Sequence, residues 1–246
     1  MPTWTVVDDY AALAREASRM LLEAVDGQPK SVLLLPTGTT PEGMYQDVVV
    51  ACRSRYHCFR DVTTFNLDEY VGIRRDHPGS YWTYMQTRLF RHIDLDPERT
   101  HVPDGLALGV REDRPELPLD EALAIECARY ESSIAEAGGI DVTFLGLGRN
   151  GHIGFNEPGS PLDSRTRVVR LHDSTRQANA PFFEGEPVPG RAITVGIGTI
   201  LESRSIVLMA SGPAKREAIA RLASGERSPD FPASALLGHE DVTIIV

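Results

Sequence analysis

The run Gly146-Leu147-Gly148-Arg149-Asn150-Gly151-His152-Ile153-Gly154-Phe155-Asn156-Glu157-Pro158-Gly159 sets one imidazole and one carboxylate in a glycine-rich loop after an apolar stretch, Asp141 to Leu145. These are the groups that acid–base chemistry uses. The stretch reads as a buried strand, and the glycines let the following backbone take positive φ and come close to a ligand. In open α/β sheets ligands sit beyond the carboxyl ends of strands, so His152 and Glu157 are expected over that crevice.

Two further segments carry candidate chemistry. Phe65-Asn66-Leu67-Asp68-Glu69-Tyr70 places two acids at the end of another strand. Neighbouring side chains on extended backbone face opposite ways, so only one of Asp68 and Glu69 can enter a given cleft. A partly desolvated carboxylate there suits a general base that removes a C–H proton; a turn acid or salt-bridge partner is the structural alternative. Thr37-Gly38-Thr39-Thr40-Pro41 lies between a strand and a helix, where free backbone amides, threonine hydroxyls and the helix dipole can bind a phosphate. The same letters also describe a plain helix start with a Thr cap and Pro at the first helical position.

The elements that must position these groups alternate. Helical spacing runs from Asp8 to Val25, with Asp8 or Asp9 as cap, then from Glu42 to Arg53, Ser80 to His92, Leu119 to Ala137 and Ala214 to Ala223. Apolar strand runs fall at Ser31 to Leu35, Val62 to Phe65, Asp141 to Leu145, Ala192 to Val195, Ser205 to Met209 and Val242 to Ile245. This alternation predicts an α/β fold, an open doubly wound and mostly parallel sheet with helices on both faces, in one domain spanning 1–246. The polar segment 158–189, rich in Pro, Gly and Arg, is the expected mobile lid.

A net charge of −10 disfavours nucleic acid as partner. No run approaches the roughly 18 apolar residues of a membrane span, and the N-terminus lacks a signal-peptide layout, so a cytoplasmic location is expected. Cys52, Cys58 and Cys127 have no metal-ligand spacing and read as free thiols. Lys30 and Lys215 are the only lysines among 25 basic residues, which draws attention to Lys215 near the late strand.

Taken together, Pro36 to Pro41, Phe65 to Gly72 with His77-Pro78-Gly79-Ser80-Tyr81, Gly146 to Pro158, Ser164 to Arg167 and Ala192 to Ile200 resemble the glucosamine-6-phosphate deaminase and 6-phosphogluconolactonase superfamily, more closely its deaminase branch. The resemblance covers nearly the whole chain and implies a Rossmann-like fold. It implies an aldose–ketose isomerisation of glucosamine 6-phosphate that releases fructose 6-phosphate and ammonia, with no cofactor and no metal. By position, Asp68 looks like the base that moves the C2 proton to C1. His152 looks like the acid/base that assists ring opening, Glu157 the carboxylate that tunes it, and Asn150 stands where many members carry Asp. Thr37, Gly38, Thr39 and Lys215 match the phosphate contacts.

One departure bears on substrate. The family's lid arginine, in Asn-x-Arg-Phe-Phe, is Pro181 here, and proline supplies neither charge nor N–H. Either Arg176 or another lid arginine compensates, or the phosphate binds more weakly, or the substrate is a related amino sugar such as galactosamine 6-phosphate or one without phosphate. Arg165, Arg167, Arg170 and Arg176 are otherwise expected as a solvated basic face, at least two of them. A lactone hydrolase and a sugar-binding protein without turnover are the other readings. Allosteric members carry a basic pair at the positions of Arg167 and Val169 and a longer tail, so a non-allosteric monomer or small homo-oligomer is expected.

Overall fold

The computed structural model describes residues 2–54 and 57–246. From the N-terminus, β1 (Thr3–Thr5) leads into α1 (Tyr10–Gly27), β2 (Val32–Leu35), α2 (Glu42–Cys52) and β3 (Thr63–Asn66). One residue later comes β4 (Asp68–Tyr70), then α3 (Tyr81–Arg88), β5 (Thr100–His101), α4 (Leu108–Asp113) and α5 (Leu119–Glu136). The second half runs β6 (Val142–Gly146), β7 (Arg167–Arg170), α6 (Asp173–Asn179), β8 (Arg191–Thr194), α7 (Ile197–Leu201), β9 (Ser205–Met209), α8 (Arg216–Ala223) and β10 (Val242–Ile245).

Seven strands form one parallel sheet in the order β1-β10-β9-β6-β2-β3-β5. The two-residue alternation of each strand assigns its side chains to opposite faces. Leu33 and Leu35 of β2 pack with Leu13, Ala17 and Leu21 of α1 and Val48 of α2, whereas Val32 and Leu34 pack with Tyr130 and Ile134 of α5 and Leu222 of α8. Strands buried on both faces read as unbroken apolar runs, which is why β2 and β9 are visible as Val-Leu-Leu-Leu and Ser-Ile-Val-Leu-Met. Each such leucine contributes roughly 1.5–3 kcal/mol by leaving water. Asp9 starts α1 by accepting the Ala12 amide at 2.7 Å, as the capping pattern predicts.

Three expectations are corrected. The Ala192–Val195 run is not a strand of the parallel sheet: β8 pairs antiparallel with both β4 and β7 in a second, three-stranded sheet. At Leu67 the chain leaves β3, its amide donating to Leu35 and its carbonyl accepting the Val195 amide at 2.7 Å, so β4 begins the new sheet. The Ser80–His92 helix stops at Arg88, since Leu89 leaves the helical region with φ −136° and ψ −62°; a 3₁₀ turn, Phe90–His92, follows. Finally, α2 begins with Pro41 in the cap position and no side-chain cap, leaving the threonines before it uncommitted to the helix.

Among the described residues no helix is long and apolar enough to cross a membrane, and Cys52, Cys58 and Cys127 are free.

Candidate active site

The carboxyl ends of β2, β3 and β6 open into a cavity of about 570 Å³ that the α6 segment covers on one side. Asp68, Asn150, His152, Thr37, Gly38, Thr39 and Lys215 all line it. Residues from four separate stretches of chain are thereby brought together as expected from the positions of their strands.

The loop after β6 closes on itself. The Gly151 amide donates to Gly148 O at 3.1 Å and the Gly148 amide to His152 O at 2.8 Å. Two glycines permit this: Gly151 has φ +86°, and a Cβ on Gly148 would stand 2.4 Å from the His152 ring. The tight turn puts Asn150 beneath the imidazole. Asn150 Oδ1 accepts from His152 Nδ1 at 2.7 Å and from its backbone amide at 3.2 Å, while Asn150 Nδ2 donates to Glu157 Oε2 at 2.7 Å. A carboxamide oxygen only accepts, so the network assigns a proton to Nδ1, and in the neutral imidazole the lone pair then lies on Nε2. Glu157 lies behind this pair, 3.6 Å from Nδ1, with the Thr175 hydroxyl of α6 donating to its other oxygen at 2.5 Å. Burial pushes the Glu157 carboxyl up, but the imidazole of His152 beside it and the hydrogen bonds from Thr175 and Asn150 outweigh it and hold the group at about 2.

Asp68 and Glu69 separate as the strand alternation requires. Glu69, 4% exposed, accepts the Ser80 hydroxyl at 2.7 Å and the amides of Tyr70, Tyr81 and Trp82 at 2.8, 3.2 and 3.2 Å, so it anchors the start of α3. Asp68, 5% exposed, faces the cavity and has no hydrogen-bond donor among the described residues. Burial first, and the neighbouring Glu69 charge second, raise its pKa well above the ordinary carboxylate range. Gly154 keeps the space over it open, since a Cβ there would meet Thr194 Oγ1 at 3.1 Å and Asp68 Oδ2 at 3.4 Å.

Three tyrosine hydroxyls hold the carbonyls of the threonine loop, which also lines the cavity. Tyr45 donates to Pro36 O at 2.6 Å, Tyr84 to Gly38 O at 2.7 Å, and the Tyr10 hydroxyl lies 3.1 Å from both Thr39 O and Thr40 O. The amides of Thr37, Gly38, Thr39 and Thr40 have no acceptor among the described residues, so the loop offers an anion its donors. Lys215 stands half-buried nearby, its pKa lowered by burial and then by the charge of Arg149.

The arginines of segment 158–189 do not line the cavity, where compensation for Pro181 requires them. Arg176 does not line the cavity; its Nε donates to Val188 O at 3.2 Å and Nη1 lies 3.4 Å from Asp173. Arg165 pairs with Glu202, Arg167 donates to Asn156 Oδ1 at 2.9 Å, and Arg170 is exposed. Segment 158–189, expected as a mobile lid, is in part well packed, with Phe183 edge-on to Tyr70 at 5.0 Å. The sequence reading missed Arg149 and Thr175. Arg149 was visible as a cation inside the glycine run, whereas nothing local marks Thr175 as the partner of an acid 18 residues earlier.

A doubly wound parallel sheet with an oriented imidazole, a buried free carboxylate and a loop of unpaired amides at its carboxyl end defines a Rossmann-like enzyme scaffold. Over residues 8–245 the chain matches the family described as glucosamine-6-phosphate isomerases/6-phosphogluconolactonase, and it belongs to that family. It is 46% identical over 243 residues to a glucosamine-6-phosphate deaminase of Lysinibacillus sphaericus, covering 98% of this chain and 97% of that protein. Among solved structures it is similar to a monomeric glucosamine-6-phosphate deaminase described as the missing link of the NagB superfamily, with TM-score 0.89, 42% identity, and 99% and 96% of the two chains covered. The 6-phosphogluconolactonase of Trypanosoma cruzi shares the fold at TM-score 0.76 and 19% identity, over 100% of this chain and 94% of its own.

Proposed function

We propose that this chain converts glucosamine 6-phosphate and water into fructose 6-phosphate and ammonia. The observation that carries this reading is the pairing, in one cavity, of a buried carboxylate without donors and an imidazole whose Nε2 lone pair is left free by its Asn150 bond. The volume suits a hexose phosphate. His152 takes and returns the proton that ring opening moves, and Asp68 carries the C2 proton to C1 of the open chain while O1 gains the proton that the amine gives up, leaving a C2 imine that water hydrolyses to the ketose and ammonia. The threonine loop and Lys215 hold the phosphate. Glu157 and Asn150 keep the imidazole in place.

The reading is tested by incubating the protein with glucosamine 6-phosphate in deuterated water, measuring ammonia and ketose together and the deuterium at C1 of the product. Stoichiometric ammonia and ketose with deuterium at C1 is the expected result. Hydrolysis of a 6-phosphogluconolactone with no ammonia from the amino sugar would replace this reading with the lactonase one.

Thr175→Val removes only the hydroxyl that reaches Glu157 from α6. Leaving Glu157 Oε1 without its donor should lower the melting stability by about 1 kcal/mol and kcat by roughly tenfold. Parallel thermal melts and steady-state rates check this, and an unchanged kcat would show that α6 does not support the carboxylate during turnover.

A further inference from the structure

We propose that Arg149 is a specificity-determining residue that binds the substrate's phosphate together with Lys215, from the same tight turn that carries His152. The proposal rests on the sugar-phosphate reading above and adds to it the group that answers for Pro181.

Arg149 lines the cavity, as do Lys215 and the threonine loop. Some arginines of the molecule pair with acids, Arg165 with Glu202, Arg191 with Asp120 and Arg204 with Asp141, and others, such as the exposed Arg170, do not; Arg149 is set apart by lining the cavity beside Lys215. Among the described residues neither Arg149 nor Lys215 has a hydrogen-bond or ion-pair partner, although the chain carries ten excess negative charges. Two cations beside the same cavity repel, and an anion between them relieves both the repulsion and the partial desolvation of Lys215. A phosphate dianion fits that demand, because a guanidinium engages two of its oxygens in a fork while the ammonium and the loop amides take the others.

The α6 segment brings no competing cation. Its residues at the cavity are Ser174, Thr175, Ala178, Asn179 and Phe182, and Arg176 is turned toward Val188 and Asp173. Arg149, by contrast, sits in the first central position of a turn closed by the Gly151 amide on Gly148 O. The phosphate cation and the imidazole are then fixed three residues apart on one closed loop, so anion binding does not wait for a charge to arrive on a lid.

The test titrates inorganic phosphate by calorimetry into the wild type, Arg149→Ala, Arg149→Lys, Lys215→Ala and Arg176→Ala, and measures steady-state rates with glucosamine 6-phosphate and with glucosamine. Loss of a charge-assisted contact should weaken phosphate binding in Arg149→Ala by about 10- to 100-fold. KM for the phosphosugar should rise in proportion, with kcat/KM for glucosamine nearly unchanged. Arg149→Lys should recover part of the affinity and Arg176→Ala should match the wild type. Arg149 is exposed on its turn, and an unchanged melting temperature verifies that the variant folds. Wild-type phosphate affinity in Arg149→Ala, with Lys215→Ala defective, overturns the role of Arg149 while leaving the reaction standing. Loss of phosphate binding in Arg149→Ala from a protein that releases no ammonia upholds the anion site and overturns the reaction instead. A wild type that binds no phosphate overturns the proposal.

Discussion

Asp68→Asn should lose at least about a hundredfold in kcat with glucosamine 6-phosphate, the lower end of what a positioned base contributes, and should at the same time gain stability at pH 7–8. The two effects have one cause. The carboxylate is buried, faces the cavity and has no donor among the described residues, so folding disfavours its charge. Burial is the main reason its pKa rises, with the Glu69 charge adding to it.

The sign of the pH dependence follows. A group whose folded pKa lies above its unfolded value, about 3.9 for aspartate, contributes stability that is fully present below that unfolded value and is lost as pH rises through the folded one. At neutral pH the wild type therefore bears a cost that asparagine does not. Relief of about 1–3 kcal/mol corresponds, at this chain length, to a few degrees in melting temperature. Melts of both proteins at pH 7.5 and near pH 4 should show the advantage of Asp68→Asn shrinking in acid, where the wild-type carboxyl is protonated. The acid limb of kcat/KM should fall as the same group takes its proton, at a pH above the ordinary carboxylate range. A variant that melts lower than the wild type at pH 7.5 would mean that the charge is solvated or paired in solution, and Asp68 would then lack the reason to be a strong base.

How far the sequence foretells this site depends on the range of the interactions involved. β2, β6, β9 and β10 are legible because a strand covered on both faces is predominantly apolar, and α1 because its buried stripe and the Asp9 cap are local patterns. The choice between Asp68 and Glu69 is legible as an either/or from alternation alone; which of them enters the cavity is decided by the start of α3, twelve residues on, whose amides claim Glu69. The antiparallel β4-β8-β7 sheet is not legible, since β4 is three residues long, follows β3 after a single residue, and finds its partner more than a hundred residues away. Nor is the commitment of Arg176 to a carbonyl of its own segment: a polar, arginine-rich stretch looks the same whether its side chains meet a ligand, an acid or the backbone.

Glu157→Ala should lose on the order of a hundredfold in kcat, and Glu157→Gln about tenfold, because the two substitutions remove different things. In the wild type the carboxylate accepts from Asn150 and Thr175 and keeps a negative charge 3.6 Å from His152 Nδ1. Glutamine can still accept from Asn150 through its oxygen while its amide donates to a rotated Thr175 hydroxyl, so the carboxamide beneath the imidazole stays in place. Only the charge that stabilises the imidazolium is lost. Alanine leaves Asn150 Nδ2 and the Thr175 hydroxyl without their acceptor, at about 1–3 kcal/mol for the buried Thr175 donor, and frees the exposed Asn150 to turn. If it turns, its amide nitrogen faces Nδ1 and the ring proton moves to Nε2, the wrong side for accepting one from the substrate. Nitrogen-15 spectra of the histidine ring read that exchange of tautomers directly. The carboxyl also marks itself in unfolding. Held at about 2, it contributes stability that is present above the unfolded value near 4.3 and lost as pH falls from there toward 2. Both variants should therefore lose part of the wild type's acid sensitivity in that window. Wild-type rates in Glu157→Gln together with an unchanged acid unfolding curve would show that the carboxylate serves only to hold Asn150, and that its charge takes no part in moving the proton.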